Sequence, residues 1–345
     1  RDDVESRGLG DVYKRQGYTS QVRNAGHIRN RGYEIQLGAV PIQTSKGFRW
    51  NLDLNYGANS SKVVKLDDEG LITSYRLYSS GIQILASVGE AYGTLFGTSY
   101  VRDANGNVVV DANGLPKIST TNKTLGKFTP DWTGGISNTF SYRSLSLSFL
   151  IDASVGGSIF SNTNKTGKYT GVLANTLSGR DAEHGGLWYY TAAMGNNVRL
   201  PESPSYSVSS DGLYYAQVNG QSTRVYQDGI MVEGVTESGS KNEEVVSAEK
   251  YYHRIYSIAE ANVYDASYVK LREVALSYRL PRLWTQKLHL QEASVTLTGR
   301  NLWTIYKSVP NIDPESALTT GNAQGVEAYS LPTTRSFGVN LSVKF

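Results

Sequence analysis

The chain has 345 residues, enough for two ordinary domains or one large β-structure, and its net charge is +3. So small a charge does not indicate a nucleic-acid partner, and the absence of cysteine excludes disulfides and thiolate metal sites. No run approaches the roughly 18 apolar residues of a membrane helix. This excludes a helical membrane protein but leaves membrane β-barrels and soluble β-proteins open, because barrel strands are half polar in sequence.

Residues 1–16 are charged and aperiodic, and they differ in character from the rest of the chain. We interpret them as a non-native leader and base the fold on residues 17–345. Neither an initiator methionine nor a signal peptide opens the chain. An outer-membrane protein must be exported, so on a membrane-barrel interpretation we expect the chain to be a fragment that lacks its front end.

Two strands are predicted first, at 33–39 and 48–56, with a short turn at 44–47 between them. Apolar and polar residues alternate in both, which is typical of a strand with one apolar and one polar face. The polar face of the second strand carries Arg, Asp and Asn side chains. Such a face meets bulk solvent in a soluble sandwich and a water-filled lumen in a wide barrel.

Weaker strands are predicted at 82–88 and 93–101, followed by the clearest hairpin of the chain. Its strands cover 132–142 and 145–155, and a minimal turn at 142–144 joins them. The apolar residues of the return strand alternate with serines and one aspartate. Two long alternating strands with so short a turn are a strong hairpin signal.

The segment 157–250 shows little periodicity, and a connection of this length is usually functional or disordered. A short helix with Ser247 as its N-cap is predicted at 247–257. The next strand is predicted over 265–280, and its alternation slips at Arg272 and Glu273, which indicates a β-bulge.

A turn at 281–290 that contains one helical turn leads to a strand marked by Val295, Leu297 and Trp303. The final strand covers 335–345, with apolar residues at every second position up to a terminal phenylalanine. Such a strand resembles the closing strand of bacterial outer-membrane barrels, and the edge strand of a soluble sandwich is the alternative.

Short and long connections alternate along these nine predicted strands. The short ones lie at 44–47, 142–144 and 281–290, and the long ones at 62–80, 103–131, 156–250 and 308–333. An up-and-down membrane barrel has tight turns at one end and long loops at the other. The sequence therefore favours an all-β, antiparallel, up-and-down transmembrane β-barrel with long extracellular loops.

The alternative is a soluble or surface-anchored β-sandwich that binds carbohydrate. The barrel and the sandwich differ in what contacts the apolar faces of 145–155 and 337–345. A barrel exposes them to lipid as a continuous band about 25 Å tall, rimmed by Tyr and Trp. A sandwich buries them against a second sheet.

Several stretches then carry a resemblance to a known family. They read NRGYEIQL at 30–37, GKFTPDWTGG at 126–135, GRDAEHGG at 179–186, DASYVKLREVALSY at 265–278, GRNLW at 299–303 and DPE at 313–315. In this order they resemble the C-terminal portion of the SusC/RagA-type TonB-dependent outer-membrane transporters of Bacteroidetes.

The resemblance implies a 22-stranded barrel in the cell outer membrane, of which this chain supplies about nine strands. It implies import of oligosaccharides or peptides, energised by TonB through a plug and TonB box that lie outside this sequence. The implied partners are a SusD-type surface lipoprotein, TonB, outer-membrane lipid, the barrel-assembly machinery and the substrate. Neither catalysis nor a cofactor is expected.

Polar residues that face the lumen are the candidate substrate contacts, namely Arg49, Asp53, Asn55 and Asp152. The alternative for each is a hydrated wall that touches no substrate. Loop aromatics such as Trp188 and Tyr189 are predicted to be exposed, where they stack on sugar rings or meet the lipoprotein. Their alternative is packing of loops on one another.

The last strand is the candidate assembly signal, through Phe345, Val343 and Leu341, because the family's assembly machinery recognises it. A calcium loop is weakly indicated by Asp103, Asn105 and Asn107, whose oxygens alternate along the chain. A hairpin turn explains these residues as well. The four histidines show no ligand spacing, so no other metal site is expected.

Overall fold

The computed structural model describes residues 26–67, 70–201, 203–287 and 289–345. The leader predicted at 1–16 lies outside the described residues. Strands dominate the rest, and we number them β1 to β20 in chain order. No helix in the described part of the chain is long and apolar enough to cross a bilayer.

Seven long strands form one antiparallel sheet, which we call the wall. They are β1 (His27–Gln43), β2 (Phe48–Lys65), β7 (Trp132–Tyr142), β8 (Leu145–Val155), β17 (Tyr268–Arg279), β18 (Glu292–Lys307) and β20 (Ser336–Lys344). Each pairs with the next in this order, as an up-and-down meander does. The outer edges of β1 and β20 pair with no other strand among the described residues. The predicted all-β, antiparallel fold is confirmed.

The register places most of the apolar residues of the wall on a single face. One cross-strand row joins Leu147, Leu276, Leu297 and Val339. Leu147 is 40% exposed and Val339 is 73% exposed, so no second sheet covers this face. The sandwich alternative required these side chains to be buried, and the structure is against it. At the level of β7 and β8, the opposite face carries the serines, threonines and charged residues of the same strands.

Aromatic side chains bound this apolar face at both ends. Trp132 and Tyr33 share one cross-strand row near the long connections, and Tyr142 lies beside Phe48 near the short turns. Ten residues separate Trp132 from Tyr142 along β7, which is about 34 Å at about 3.4 Å per residue. A strand tilt of about 40° reduces this to a height of about 26 Å, close to that of the apolar band of a membrane barrel.

The strand count of the wall differs from the nine predicted. The segments predicted as strands at 82–88 and 93–101 form part of a separate four-stranded sheet. That sheet contains β3 (Ser74–Ser79), β4 (Gln83–Ser87), β5 (Thr94–Gly97) and β6 (Lys123–Lys127). Its central strands are four or five residues long, and Ile84 and Leu95 are fully buried. Strands this short pack inside a globular layer and cannot cross a bilayer.

The long connections leave the wall at one end, and we call the layer that they build the cap. Its further strands are β9 (Ser158–Ser161), β10 (Leu187–Thr191), β11 (Asn197–Arg199), β12 (Tyr206–Val208), β13 (Tyr214–Val218), β14 (Gln221–Ile230), β15 (Val246–Ser247), β16 (Val263–Asp265) and β19 (Val326–Glu327). Its helices are α1 (Asn162–Thr170) and α2 (Ala248–Tyr256), with 3₁₀ turns at Ala174–Thr176, Ala182–His184 and Ala259–Asn262. The segment 157–250 thus contains regular structure, although its strands are too short to show periodicity.

Two predicted helical segments are present. The helix expected at 247–257 is α2, and the Oγ of its N-cap Ser247 accepts the backbone N–H of Lys250 at 3.3 Å. The helical turn expected at 281–290 is α3 (Arg282–Lys287), at the end of the wall opposite the cap.

The hydrophobic clusters of the described residues lie in the cap. The largest joins Ile82, Ile84, Leu95, Phe160, Ala259 and Val326, which come from all the long connections. Phe160 is fully buried at its centre. The cap is therefore one packed body rather than a set of separate loops.

Candidate functional site

The polar face of the wall contains the residues that the sequence singled out for a lumen. Asn55 and Asp152 share a cross-strand row with Gln36, Gly135 and Lys270. Strand alternation places Arg49 and Asp53 on the same face of β2. The structure therefore brings all four predicted lumen residues to one side of the wall.

The predicted lumen residues differ in how free they are to bind a ligand. Asp53 and Asn55 are exposed, and their side chains make no hydrogen bond within the described residues. The Nε of Arg49 donates to the Oδ1 of Asn51 at 2.8 Å and stays exposed. Asp152 is half-buried, and its Oδ1 accepts from the Nε of Arg272 at 2.7 Å. Asp53 and Asn55 are thus the pair with free polar groups.

A β-bulge in β17 supplies the partner of Asp152. The register shifts between Leu271 and Glu273 against both neighbouring strands, at the site where the sequence predicted it. The extra residue turns both Arg272 and Glu273 toward the polar face, where Lys270 already points. Three charged side chains are therefore adjacent on one stretch of wall.

These charges hold the last long connection against the wall. The Nζ of Lys270 donates at 2.6 Å to Asp313 and at 2.6 Å to Glu315. Arg272 makes a bidentate pair with Glu315, and the Tyr268 hydroxyl donates to the same carboxylate at 2.8 Å. The side chains of Lys270 and Asp313 are almost completely buried. We call these residues the anchor cluster.

The anchor cluster shifts the pKa values of its carboxyl groups. Burial alone would raise the pKa of Asp313, but hydrogen bonds from Lys270 and Thr333 outweigh it and lower the pKa to about 2. Burial likewise opposes ionisation of Glu315, yet hydrogen bonds from Arg272 and Lys270 lower its pKa to about 2. Both carboxylates are therefore charged at neutral pH.

A second contact ties the same connection to the cap. Glu327 is fully buried, and its carboxylate accepts hydrogen bonds from the Ser161 hydroxyl at 2.7 Å and the Thr163 N–H at 3.3 Å. Ser161 is the N-cap of α1, so this carboxylate lies at the positive end of that helix. The segment 308–335 therefore bridges wall and cap.

Sequence reasoning did not find the roles of Lys270, Arg272 and Glu327. A faint signal existed, because Lys270 and Arg272 are two residues apart, as are Asp313 and Glu315. Only the fold shows that these two pairs meet, since some 40 residues separate them along the chain.

Trp188 and Tyr189 do not occupy the exposed positions that the sequence predicted for them. Trp188 is 7% exposed and packs on Tyr206, with ring centroids 5.1 Å apart, whereas Tyr189 is 4% exposed and stacks on Tyr226. Their strand β10 lies between β11 and β14, so neighbours cover it on both edges. The prediction of exposure is wrong, and the alternative of packing between loops is the structure observed.

Asp103 forms a turn. Its Oδ1 accepts the backbone N–H groups of Asn105 at 2.9 Å and Asn107 at 2.8 Å, and its Oδ2 accepts the Asn107 side-chain amide at 3.0 Å. These bonds support the turn interpretation over a calcium loop. No group of three or more His, Asp or Glu residues in the described ranges is arranged to hold a metal ion.

Leu341, Val343 and Phe345 lie at the end of the chain, next to the edge of the wall. Leu341 and Val343 belong to the apolar face, opposite Val295 and Ala293 of β18. The side chain of Phe345 is exposed. All three are placed where a neighbouring strand or lipid could contact them.

Comparisons with known proteins give the geometry a family context. The chain is 26% identical over 358 residues to TonB-dependent receptor P3 of Formosa agariphila, covering 95% of this chain and 30% of that protein. It is 25% identical to TonB-dependent receptor P26 of the same organism, covering 97% of this chain and 31% of the relative. The chain is thus similar to TonB-dependent receptors over almost its whole length. It spans about a third of the length of these curated relatives.

Solved structures agree on the fold. The RagAB peptide transporter superposes with a TM-score of 0.55 and 20% identity, covering 96% of this chain and 31% of that chain. The RagAB peptide importer in its 'open-open' state superposes with a TM-score of 0.54 and 18% identity. No family model matches the sequence. The predicted resemblance to TonB-dependent receptors is confirmed, and the solved RagAB structures share the fold of this chain.

Proposed function

We propose that this chain forms part of the barrel wall and the outer loops of an outer-membrane transporter. The observation that carries the proposal is the two-sided wall, with an exposed apolar band about 26 Å tall on one face and polar groups on the other. The relation to TonB-dependent receptors supports the same conclusion. The wall then separates lipid from a water-filled lumen, and the cap covers its outer opening.

The transported substrate is an oligosaccharide or a peptide. Both offer many hydrogen-bonding groups, which the free side chains of Asp53 and Asn55 can bind. Arg49 and Asp152 lie on the same face and add charge to it. The solved relatives are peptide transporters, which supports the peptide class. Trp188 and Tyr189 act from within the cap, as packing that shapes its surface.

The transport cycle depends on partners outside this chain. TonB energises import through segments that the full-length protein supplies, and a SusD-type surface lipoprotein covers the cap. Phe345, Val343 and Leu341 direct the last strand to the barrel-assembly machinery. Phe345→Ser in the full-length protein should therefore lower the amount that reaches the outer membrane, as measured by fractionation.

An uptake assay tests the proposed function. Cells that carry the full-length receptor should accumulate a labelled peptide or oligosaccharide, and should stop doing so when TonB is deleted. Replacing Asp53 and Asn55 by alanine should reduce uptake while membrane levels stay normal. Thr139→Ala, on the same face of β7, is the matched control. Uptake that survives loss of TonB would contradict the energised mechanism.

A further inference from the structure

The first two wall strands extend well beyond the aromatic boundary of the apolar band. β1 has 17 residues and β2 has 18, against 11 in β7 and β8. The extra length lies at the cap end, since β1 begins there and runs toward the short turn. This hairpin therefore projects past the row of Tyr33 and Trp132.

The outer face of the projecting hairpin is basic. Residues 29–39 of β1 pair with β2 without a register shift, so Arg29 and Arg31 point to the same side as Tyr33. Lys62 is the cross-strand partner of Arg29 and points the same way. Tyr33 belongs to the apolar face, so these cations continue that face upward. We call Arg29, Arg31 and Lys62 the basic patch.

The basic patch is exposed and lacks acidic partners. All of its side chains are exposed, and none makes an ion pair within the described residues. Glu34 and Asp53 are the acidic residues of the two strands, and alternation places both on the polar face. The charge of the patch is therefore available to a ligand.

The cap occupies the other side of the hairpin at this level. Val63 is fully buried there, and its N–H donates to the Glu90 carbonyl at 2.9 Å. The Ser61 hydroxyl accepts the backbone N–H of Tyr92 at 3.2 Å. The basic patch thus faces away from the cap and lumen, toward the surroundings of the barrel.

The height of the patch matches the headgroup layer of a bilayer. Arg31 lies two residues above Tyr33, and Arg29 lies four residues above it. At about 3.4 Å per residue and a tilt of about 40°, these are heights of about 5 and 10 Å. Headgroups extend about 5–8 Å beyond the hydrocarbon core on each side. Basic side chains at this height are within reach of anionic headgroups.

We propose that Arg29, Arg31 and Lys62 form a binding site for the anionic phosphate headgroups of the membrane leaflet on the cap side. Arginine and lysine suit phosphate because their N–H groups make charge-assisted hydrogen bonds to its oxygens. Ion pairs between the site and the headgroups fix the height of the hairpin in the membrane. The row of Tyr33 and Trp132 has the same effect through its aromatic rings. This inference rests on the proposed membrane location of the wall.

Native mass spectrometry of the full-length receptor tests the site. Phosphatidylglycerol and zwitterionic phosphatidylcholine are offered together to the detergent-solubilised protein. The wild type should retain phosphatidylglycerol preferentially. R29Q/R31Q/K62Q should lose most of that preference, by a factor of up to roughly 100, because each basic residue near an anionic surface is worth about fivefold. Added salt should weaken the preference of the wild type.

The matched control removes the same charge from the cap. K123Q/K241Q/K250Q changes three exposed lysines that make no ion pair in the described residues, and it should keep the preference. Equal preference in the patch variant and the wild type would overturn the inference. Failure of the wild type to insert into phosphatidylcholine bilayers would instead overturn the proposed membrane location, so the two failures are distinguishable.

Discussion

The wall and the cap use apolar side chains in opposite ways. In the cap, residues such as Phe160 and Leu95 are completely removed from solvent and pack against each other. In the wall, residues such as Leu147 and Leu297 stay exposed in a continuous face. A large exposed apolar face on an otherwise well-folded chain marks an interaction surface, and here its shape and height fit a bilayer. The cap is held by its own packing, whereas the wall depends on its surroundings.

The largest contrast is expected from one phenylalanine in each region. Phe160→Ala should destabilise the cap by about 3–5 kcal/mol, because it removes a fully buried aromatic ring at the junction of the long connections. Phe337→Ala on β20 should change cap stability very little, because that side chain is 80% exposed on the wall. Hydrogen exchange of cap amides in the full-length receptor measures both. Equal losses of protection would show that the two regions are not independent.

The anchor cluster joins the two regions, and Lys270→Ala should break that connection. The substitution leaves the buried carboxylate of Asp313 without its amine partner, at a cost of about 3–5 kcal/mol, and removes one of the two cations that hold Glu315. Limited proteolysis should then cut within 308–335. The control is Arg300→Gln, whose ion pair with Glu273 is exposed and contributes less than about 1 kcal/mol. Resistance of Lys270→Ala to protease would contradict the anchoring role.

An arginine introduced on one face or the other of a single wall strand should distinguish the lipid-facing side from the lumen-facing side. Phe149→Arg should destabilise the inserted protein by about 2–4 kcal/mol, because position 149 pairs with Asn138 and lies near mid-height of the apolar band. Ser148→Arg, on the adjacent residue and the polar face, should be tolerated. Denaturant unfolding of the full-length receptor in lipid vesicles compares the two. Similar losses from both would remove the distinction between the faces.

A smaller effect is expected from pH. Asp313 and Glu315 have ordinary pKa values of 3.8 and 4.5, and both are lowered to about 2 in the fold. Their stabilising effect is therefore fully present above about pH 5 and declines as pH falls through the ordinary values toward about 2. Protease protection of 308–335 should fade over that range. The same protection should depend less on pH in Lys270→Ala, because the hydrogen bonds from Lys270 to both carboxylates are lost while those from Arg272 and Thr333 remain.

The wall could be predicted from the sequence because its strands are long and alternate strictly. β8 and β20 each show one apolar and one polar face over nine or more residues, and the slip at Arg272 marked a real bulge. The same pattern gave the correct face for Asp53 and Asn55. Local alternation of apolar and polar residues is enough to predict a strand and its two faces wherever each face meets a uniform environment.

The cap could not be predicted to the same extent, for two physical reasons. Its strands are mostly two to five residues long, too short for a period to emerge, so 82–88 was assigned to the wall. Its contacts join distant segments, as Glu327 does with Ser161, and no local pattern encodes such a meeting. Trp188 was misplaced for the same reason, since burial of β10 depends on the strands on both sides of it.

The central claim is that the wall separates lipid from water, and spin-label accessibility in the reconstituted full-length receptor tests it directly. This chain contains no cysteine, so Leu147→Cys and Ser148→Cys each introduce a single label site once any cysteine elsewhere in the receptor has been replaced by serine. The label at 147 should collide mainly with oxygen dissolved in the bilayer, and the label at 148 mainly with a water-soluble nickel chelate. Low accessibility of position 147 to both reagents would mean that it lies in a closed protein interior, and would contradict the account.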